Sequence, residues 1–566
     1  MKTSLRLLLC LIFISLSYSP GFTQGNHAEY DSVIEPIFPK DGPGGTVLVA
    51  KAGRVIYQRD FGFANLEHQV PMSQDHVFRL GSVTKQFTAV CILKLAEEGK
   101  LSLEDELTKF IPDYPAQGKK ITIANLLSHT SGIKNYTGVP AFSEALKRKD
   151  LRPEEIIALF KGEGLDFDPG SDQRYSNSNY ILLGYIIEKL SGKSYGDYVQ
   201  EHIFKPLDMT HSCYDMGTEV ITGRVSGYRK RGDRYENAEF LSMTLPYAAG
   251  SLMSTTGDLL KWYQWLSAGK IISAASLEKA FSSWILANGK DSGYGFGWWI
   301  GNIQGNRAVM HNGVINGFFT DVIYLPAQQI LVCVLSNYEN VGDLDIPAAK
   351  LAAIAINTPY HYEPVALKSA VLQEYHGVYQ NAFDGERYIS NQRGVLMYYY
   401  RGGGKTCLIP TGKDVFVLEN SLNKLSFQRD QAGKIAGYKL EGTGVASNWL
   451  RSRDNEVLEK IQVSDQLMQS YAGKYLFEPN MVFEVVIENG KLYGRVGKDQ
   501  KELVPYGKHR FYAWDLDARL IFQLDHTGKV TGVTKMEISE IVSTSFRAKV
   551  SSQFSPNAFW IPWTWR

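Results

Sequence analysis

Ser82 and Lys85 are the two residues of this chain whose types and spacing most directly suggest chemistry. Residues three apart in a helix lie on one face, so the Lys85 amine can reach the Ser82 hydroxyl. A serine alcohol is a weak nucleophile until a base takes its proton. A lysine that is buried at the start of a helix can lose its charge and act as that base. The pair therefore predicts a nucleophilic serine with its own proton acceptor.

The serine–lysine spacing is weak evidence by itself, because it recurs in the chain. Elsewhere in the chain, the same serine–lysine spacing is ordinarily explained by a surface serine beside a solvated lysine. Ser82 differs because an apolar helical run follows it, and Gly99 ends that run as a C-terminal glycine would. We therefore predict a helix over residues 82–98. The other four matches begin at Ser131, Ser267, Ser276 and Ser421.

Tyr175 and Asn177 form a second polar group, on a predicted loop just before a helix expected over residues 180–190. A phenol here could relay protons between the serine, the lysine and a leaving group. The Asn177 amide could hydrogen-bond both the lysine and a substrate amide. The same triplet pattern recurs, and a lone tyrosine is ordinarily a half-buried packing residue. The other triplets begin at Tyr235, Tyr338 and Tyr379.

His311, Gly313 and Val314 form a third group, directly before strands predicted over residues 318–325 and 330–336. On an edge strand, Gly313 would let a substrate backbone approach closely. The backbone N–H groups of Val314 and Ser82 could together form an oxyanion hole. His311 could bind or protonate a substrate group, although a lone histidine is more often structural.

Composition excludes several classes of function. The chain has 566 residues and a formal net charge of +1, with no basic stripe, so nucleic acid is not an expected partner. No metal-ligand spacing or nucleotide-binding glycine motif appears, and no metal or organic cofactor is expected. The expected partner is a small-molecule or peptide substrate. The oligomeric state is not predicted.

The first 24 residues resemble a secretory signal peptide. Lys2 and Arg6 precede an apolar run over residues 7–18, which is too short to cross a bilayer comfortably. An uncleaved anchor is the alternative, and no later segment is expected to span a membrane. Cysteines are sparse after the leader, so no disulfide scaffold is expected. These features predict an exported bacterial protein, either periplasmic or secreted.

The remaining chain divides into three regions. Residues 25–357 have a hairpin near their start, two strands near their end and helices between, which predicts one sheet built from distant parts of the chain. Two prolines make residues 357–364 a linker. Residues 365–455 and 465–566 then alternate strands with turns, and Asn489-Gly490 is a strong hairpin signal.

These two strand-rich regions repeat each other. Four segments match in register, with an offset of 96 at the first pair and 95 at the other three. Each unit is large enough for a small barrel or sandwich. The matching pairs are 375–379 with 471–475, 408–410 with 503–505, 427–430 with 522–525, and 433–437 with 528–532.

The three polar groups together resemble the serine β-lactamase and penicillin-binding-protein superfamily, most closely its class C β-lactamase, esterase and D-aminopeptidase branch. The resemblance covers most of residues 31–345. It implies an α+β fold of the β-lactamase and transpeptidase type, and the tail is similar to the two lipocalin-like barrels of D-aminopeptidases. Further matching segments resemble structural signatures of the family: Leu126–Gly132, Gly250–Thr255 with Asp258, and Tyr294–Trp298.

The resemblance implies a role for each motif residue. Ser82 would be the acylated nucleophile with Lys85 beside it, and Tyr175 would be the general base and acid. Asn177 would orient the substrate and the lysine. His129 and Ser131 would be scaffold residues.

One departure from the family pattern bears on the substrate. β-Lactamases usually carry Lys-Thr-Gly where this chain has His311-Asn312-Gly313. A neutral histidine offers no permanent cation to a substrate carboxylate. The triplet is similar to that of D-aminopeptidases and related esterases, which disfavours efficient β-lactam hydrolysis.

The resemblance implies a serine hydrolase that acts through an acyl-enzyme on amide, D-residue peptide or ester substrates. A β-lactamase or DD-carboxypeptidase is one alternative. A catalytically inert protein that binds a peptide or other ligand is the second.

Overall fold

The protein is described by a computed structural model, and its contacts divide the chain into two compact units. The predicted signal peptide lies outside the described residues. The structure describes residues 27–392, 394–400, 404–453, 461–477, 481–497, 499–513, 518–537 and 540–547. The first unit comprises residues up to Trp284 with Tyr294–Trp299 and Arg307–Pro359, and the second comprises Ile285–Gly293, Ile300–Asn306 and residues from Tyr360 onward.

The region before residue 357 mixes helices and strands. Its helices are α1 His27–Ile34, α2 Thr84–Glu97, α3 Leu107–Phe110, α4 Ile123–Leu127, α5 Pro153–Phe160, α6 Asn177–Ser191, α7 Tyr195–Val199, α8 Tyr247–Gly250, α9 Thr256–Ser267, α10 Ala274–Ala280 and α11 Asp345–Ala355. Short 3₁₀ turns lie at Glu35–Ile37, Gly81–Val83, Tyr136–Gly138 and Leu146–Arg148, and a π-helical turn at Gln200–Phe204. Its strands are β1 Gly45–Lys51, β2 Arg54–Phe61, β3 Phe63–Asn65, β4 Val70–Pro71, β5 Phe78–Arg79, β6 Cys213–Tyr214, β7 Tyr228–Arg231, β8 Arg234–Asn237, β9 Leu252–Ser254, β10 Trp299–Ile303, β11 Asn306–Ile315, β12 Phe318–Leu325 and β13 Ile330–Ser336.

One six-stranded sheet joins the two ends of this region in the order β10-β11-β12-β13-β1-β2. Strand β1 pairs antiparallel with β13, so that Gly45 faces Ser336 and Lys51 faces Ile330. The predicted sheet from distant parts of the chain is therefore confirmed. Every residue of β13 is buried. Because successive strand residues point to opposite faces, both faces of the sheet are covered.

The chain around Ser82 differs from the prediction in one detail. The sequence predicted a single helix from residue 82, but Ser82 lies in the 3₁₀ turn Gly81–Val83 that precedes α2. Gly81 adopts a φ of 52°, and the Val83 N–H donates to the Leu80 carbonyl at 3.3 Å. This tighter turn keeps Ser82 and Lys85 one turn apart.

The region after the linker forms two barrels. Two short helices, α12 Ser369–Glu374 and α13 Asp465–Tyr471, precede their first strands. The first barrel comprises β14 Gly377–Asn381, β15 Gly385–Gln392, β16 Val395–Tyr399, β17 Thr406–Gly412, β18 Val415–Leu418, β19 Lys424–Arg429, β20 Ile435–Glu441 and β21 Ser447–Arg453. The second comprises β22 Gly473–Phe477, β23 Met481–Glu488, β24 Lys491–Val496, β25 Asp499–Gly507, β26 Arg510–Ala513, β27 Ala518–Leu524, β28 Val530–Glu537 and β29 Glu540–Arg547.

Both barrels are closed by pairing of their first and last strands. The α+β domain followed by two all-β barrels, predicted from the sequence, is confirmed. The predicted Asn489-Gly490 turn joins β23 to β24 with φ values of 50° and 70°, as a tight hairpin turn requires. The exact domain boundaries stay predictions.

The repeat extends to individual hydrogen bonds. The Tyr379 hydroxyl donates to the Tyr375 carbonyl at 2.8 Å, and the Tyr475 hydroxyl donates to the Tyr471 carbonyl at 2.7 Å. Each barrel also has a register shift within its fourth strand, one between Pro410 and Gly412 and the other at the matching proline and glycine. The backbone around these equivalent residues is therefore arranged alike in the two barrels.

Two features are absent from the described ranges. None of the helices there is both long and apolar enough to cross a bilayer. No group of histidine, cysteine and carboxylate side chains there has the arrangement of a metal site. Cys91 and Cys333 are buried and unpaired, as small core residues.

Candidate active site

Ser82 is held against strand β11 by the glycine that precedes it. A side chain at Gly81 would put its Cβ 3.0 Å from the Val314 nitrogen, which is tighter than most real contacts. Gly81 also has the positive φ that other residues rarely adopt. The glycine thus allows the Ser82 turn and the Val314 N–H to lie side by side.

The Lys85 amine makes three polar contacts. Its Nζ lies 3.0 Å from Ser82 Oγ, 2.8 Å from Asn177 Oδ1 and 2.8 Å from the Ala249 carbonyl oxygen. The side chain is completely buried, and burial alone holds its pKa well below the ordinary lysine value. No carboxylate of the described residues pairs with it. Lys85 is therefore placed to be a neutral amine.

The contacts of a neutral Lys85 amine fix the direction of its lone pair. A neutral amine has two N–H donors and one lone pair. The oxygens of Asn177 and Ala249 can only accept, so they take both N–H groups. The lone pair is then left for the remaining neighbour, the Ser82 hydroxyl. In this state Ser82 donates its hydrogen bond to Lys85.

Tyr175 lies in the loop before α6, with its ring beside the amine. Lys85 Nζ is 4.8 Å from the centroid of the Tyr175 ring. The hydroxyl is buried and makes no hydrogen bond of acceptable geometry. Burial raises the pKa of the phenol, and an interaction with the Ser82 side chain only partly opposes this rise. Tyr175 therefore keeps its proton at neutral pH.

Asn177 is the first residue of α6, which begins three residues earlier than predicted. Its backbone N–H donates to Asn135 Oδ1 at 3.2 Å, and this bond anchors the helix start. Its side-chain oxygen faces Lys85, so its amide NH₂ is left as a donor for another group.

His129 clamps the loop on both sides of Tyr175. Its carbonyl accepts from the Arg174 N–H at 3.0 Å, and its Nδ1 accepts from the Ser176 N–H at 3.3 Å. Its ring centroid lies 4.4 Å from that of Tyr175. Sequence reasoning treated His129 as scaffold and gave it no contact with the site. The one sequence signal that could have indicated this contact is that His129 lies in Leu126–Gly132, a segment that resembles a structural signature of the family.

The predicted scaffold residue Ser131 is also engaged internally. It donates to Asn179 Oδ1 at 2.7 Å and accepts from the Ile133 N–H at 3.1 Å. Its hydroxyl is completely buried, so the Ser131–Lys134 match to the serine–lysine spacing has no accessible nucleophile.

His311 is buried, and both of its ring nitrogens are occupied. Nδ1 lies 2.6 Å from the Asn312 carbonyl oxygen, which can only accept, so Nδ1 carries the proton. Nε2 then accepts from the Tyr294 hydroxyl at 3.0 Å. Burial is the main cause that lowers the pKa of His311 to about 3. The ring is neutral and presents no unoccupied nitrogen to a substrate.

Gly313 is a glycine for a reason that the sequence did not indicate. A Cβ there would lie 2.0 Å from the Leu80 carbonyl oxygen and 2.5 Å from Thr320 Oγ1. The Thr320 hydroxyl donates to that same carbonyl at 2.9 Å. The close neighbour that requires a glycine is thus the segment leading into Ser82.

A cavity of about 250 Å³ opens beside Ser82. Asn177 and Val314 line it together with Ser82, so three of the predicted residues meet there. Its other walls combine apolar residues with the polar residues Thr137, Lys147 and Asn316. Lys85, Tyr175 and His311 are not among the residues that line it. A larger cavity of about 360 Å³, between the β1–β2 turn and α9, lies away from these groups and contains none of them.

Comparisons with known proteins bear on the family and the fold. A family model described as beta-lactamase matches residues 35–356. A second model, described as a domain of unknown function, DUF3471, matches residues 458–550. Penicillin-binding protein 4* of Bacillus subtilis is 33% identical over 380 residues, which are 63% of this chain and 83% of that protein.

Two solved structures share the fold. A D-stereospecific amidohydrolase from a Streptomyces species has a TM-score of 0.50 and 25% identity, over 58% of this chain and 98% of its own. The octameric penicillin-binding protein homologue from Pyrococcus abyssi has a TM-score of 0.51 and 24% identity, over 84% of this chain and 97% of its own.

Proposed function

The chain belongs to the serine β-lactamase and penicillin-binding-protein family, and on that premise we propose that it is an acyl-enzyme hydrolase with Ser82 as its nucleophile. The supporting observation is the coordination of the Lys85 amine. Two acceptors take its N–H groups and leave its lone pair to Ser82. A base that is already neutral and aligned needs no further activation.

The acylation step is assigned to these groups as follows. Ser82 Oγ bonds to the substrate carbonyl carbon while its proton passes to Lys85 Nζ. The carbonyl oxygen gains the electron pair and is held by the backbone N–H groups of Ser82 and Val314. The carbonyl then re-forms as the bond to the leaving group breaks.

Tyr175 is assigned to the leaving group. Because its pKa is raised, the phenol is an acid rather than a base in the resting state. It gives its proton to the departing nitrogen or oxygen, and the proton on Lys85 restores the phenol. Water then releases the acyl group from Ser82 by the reverse sequence.

Amides or peptides with D-residues, and related esters, are the proposed substrates. Two observations favour them. The amidohydrolase with the same fold is D-stereospecific by name. The neutral, occupied His311 also removes the cation that a β-lactam carboxylate would require at this position. The leader further suggests an exported enzyme.

Acylation by penicillin is a second candidate. The relative that is 33% identical is named as a penicillin-binding protein. We expect slow acylation without efficient turnover, because the third motif supplies no positive charge.

Intact-mass analysis tests both candidates. The full chain is incubated with a fluorophosphonate, with penicillin and with short D-amino-acid amides, and the adduct is located by peptide mapping. We expect one fluorophosphonate adduct, on Ser82, that is lost in Ser82→Ala. Ser131→Ala is the matched control and should retain it.

Two results would contradict the proposal. An adduct that persists in Ser82→Ala would remove Ser82 as the nucleophile. No adduct, together with peptide binding that survives Ser82→Ala, would favour the inert binding protein. A chromogenic cephalosporin turned over at a rate typical of class C enzymes would favour the β-lactamase.

A further inference from the structure

Lys147 is the one charged residue among the described residues that line the cavity beside Ser82. No carboxylate lines the same cavity. A single cation in an otherwise uncharged cavity attracts an anionic group of a ligand.

The backbone of Lys147 is fixed by a hydrogen bond, whereas the ion-pair partner of its amine can be replaced by another carboxylate. It belongs to the 3₁₀ turn Leu146–Arg148, and its carbonyl accepts from the Ser242 N–H at 2.8 Å. Its Nζ pairs with Glu144 Oε1 at 2.5 Å, but the Glu144 side chain is 79% exposed. The Lys147 side chain is 28% exposed, so the pair is open to solvent mainly on the Glu144 side, and a substrate carboxylate can take the place of Glu144.

The wall next to Lys147 is aromatic. Tyr136 and Phe142 line the cavity, with ring centroids 5.3 Å apart in an edge-to-face arrangement. The Tyr136 hydroxyl donates to the Leu245 carbonyl at 2.9 Å, so its polar end is already bound within the protein. Lys147 Nζ lies 5.8 Å from the Phe142 ring centroid. An apolar group and a carboxylate could therefore be bound side by side.

We propose that Lys147 is a specificity-determining residue that selects amides and esters in which an apolar group is joined to a carboxylate. This inference rests on the proposed function of Ser82. The carboxylate is bound on the loop that carries Lys147 and not on β11, where His311 is neutral and occupied.

Two matched pairs of esters test the selection. Mono-p-nitrophenyl glutarate is compared with p-nitrophenyl valerate, which places a carboxylate on the acyl side. The ester 3-carboxyphenyl valerate is compared with phenyl valerate, which places it on the leaving-group side. The readout is the ratio of kcat/KM for the anionic ester to kcat/KM for its neutral partner.

In at least one pair, we expect Lys147→Gln to lower this ratio about tenfold, as loss of a charged hydrogen bond would. Lys147→Glu should lower it further, and Lys147→Arg should restore most of it. Glu144→Gln should raise the ratio, because it removes the competing carboxylate. Lys149→Gln is the matched control, since it removes the same charge from the same loop at a residue that does not line the cavity. Added salt should lower the wild-type ratio.

Three outcomes would overturn the inference: a ratio in both pairs that Lys147→Gln leaves unchanged, an equal fall in Lys149→Gln, or a rise in Lys147→Glu. Hydrolysis of the neutral esters that is lost in Ser82→Ala would leave the proposed function intact in each case. Turnover that survives Ser82→Ala, or no turnover of any ester, would instead contradict the proposed function and the inference with it.

Discussion

Lys85 and Tyr175 lie beside each other in the fold, and burial shifts their pKa values in opposite directions. Burial disfavours the charged form of each group, so it lowers the pKa of the amine and raises that of the phenol. A neutral amine and a neutral phenol therefore coexist beside Ser82. This is the protonation state that base-assisted attack followed by acid-assisted departure requires.

The pH dependence of acylation should reflect this pair. Lys85 must be neutral, so kcat/KM is expected to rise with pH through a proton loss well below 10.5, the ordinary lysine value. It should then stay level, because Tyr175 keeps its proton beyond its ordinary value of 10.0. Tyr175→Phe should keep the rising limb and lower the plateau by about 10²- to 10⁴-fold. A rise near pH 10.5 in the wild type would contradict a neutral resting lysine.

His129 should act through Tyr175. His129→Gln is expected to lower kcat between about 10- and 100-fold with little change in KM, because a small displacement of a catalytic group is costly. The rising limb of the pH profile, which belongs to Lys85, should stay in place. His202→Gln, on the π-helical turn, is the matched control and should leave kcat unchanged. An effect on KM alone would argue against a positioning role.

At the scale of elements, the Ser82 turn depends on β11 and β12. Gly313 allows the Leu80 carbonyl to approach β11, and Thr320 on β12 donates to that carbonyl. The backbone at Ser82 is thus fixed by the strands beside it and not by α2 alone.

Gly313→Ala should displace Ser82, the proposed nucleophile. Its Cβ would lie 2.0 Å from a backbone oxygen, so the Leu80–Ser82 segment or β11 must shift. We expect a loss of about 1–3 kcal/mol in the free energy of unfolding and a larger proportional loss of fluorophosphonate reactivity. Gly162→Ala is the control, because nothing lies within 4 Å of the added atom and the backbone there is not left-handed. Normal labelling of Gly313→Ala would contradict this view of the turn.

Much of the site could be predicted because spacing within a helix or a strand is local information. The Ser82–Lys85 contact follows from helix geometry, and strands β12 and β13 begin and end as the apolar runs indicated. The hydrogen bond from Lys85 to the Ala249 carbonyl could not be predicted from a motif, because every residue has a backbone carbonyl. The hydrogen bond between the Tyr294 hydroxyl and His311 Nε2 likewise depends on how separate segments of the chain pack together.

At the scale of the whole molecule, the two barrels keep one architecture with different polar chemistry. In the first, the Tyr375 hydroxyl donates to Asp414 at 2.9 Å, and Arg429 pairs with the same carboxylate. In the second, the hydroxyl of Tyr471 lies 2.7 Å from Nδ1 of His509. Asp414 and His509 occupy equivalent turns with φ values of 65° and 62°.

The barrels should therefore respond differently to acid. Burial lowers the pKa of His509, so its contribution to stability is present above about pH 6.5 and is lost as the pH falls. Arg429 lowers the pKa of Asp414, so its contribution is lost only as the pH falls below the ordinary aspartate value of 3.8. Between pH 7.5 and pH 5, calorimetry that resolves the unfolding of each barrel should show a lower midpoint for the second barrel and an unchanged midpoint for the first.

Two variants test whether His509 causes the acid-induced fall in the midpoint of the second barrel. His509→Asn, which keeps a side chain suited to the left-handed turn, should abolish the pH dependence of the second transition. Asp414→Asn should lower the first transition at both pH values. An equal shift of both wild-type transitions would contradict the assignment to His509.

The pairing of β1 with β13 also has a kinetic consequence. Some 290 residues separate Gly44 from the Ser336 hydroxyl that donates to its carbonyl. During synthesis the β1–β2 hairpin emerges first. The edge of β1 that pairs with β13 stays unpaired until the chain has grown past Ser336. Such long-range closure makes folding slow, since the loop entropy is lost before the contacts form. The sheet, and the Ser82 turn that lies against its strand β11, are therefore completed only after the chain up to Ser336 has been made.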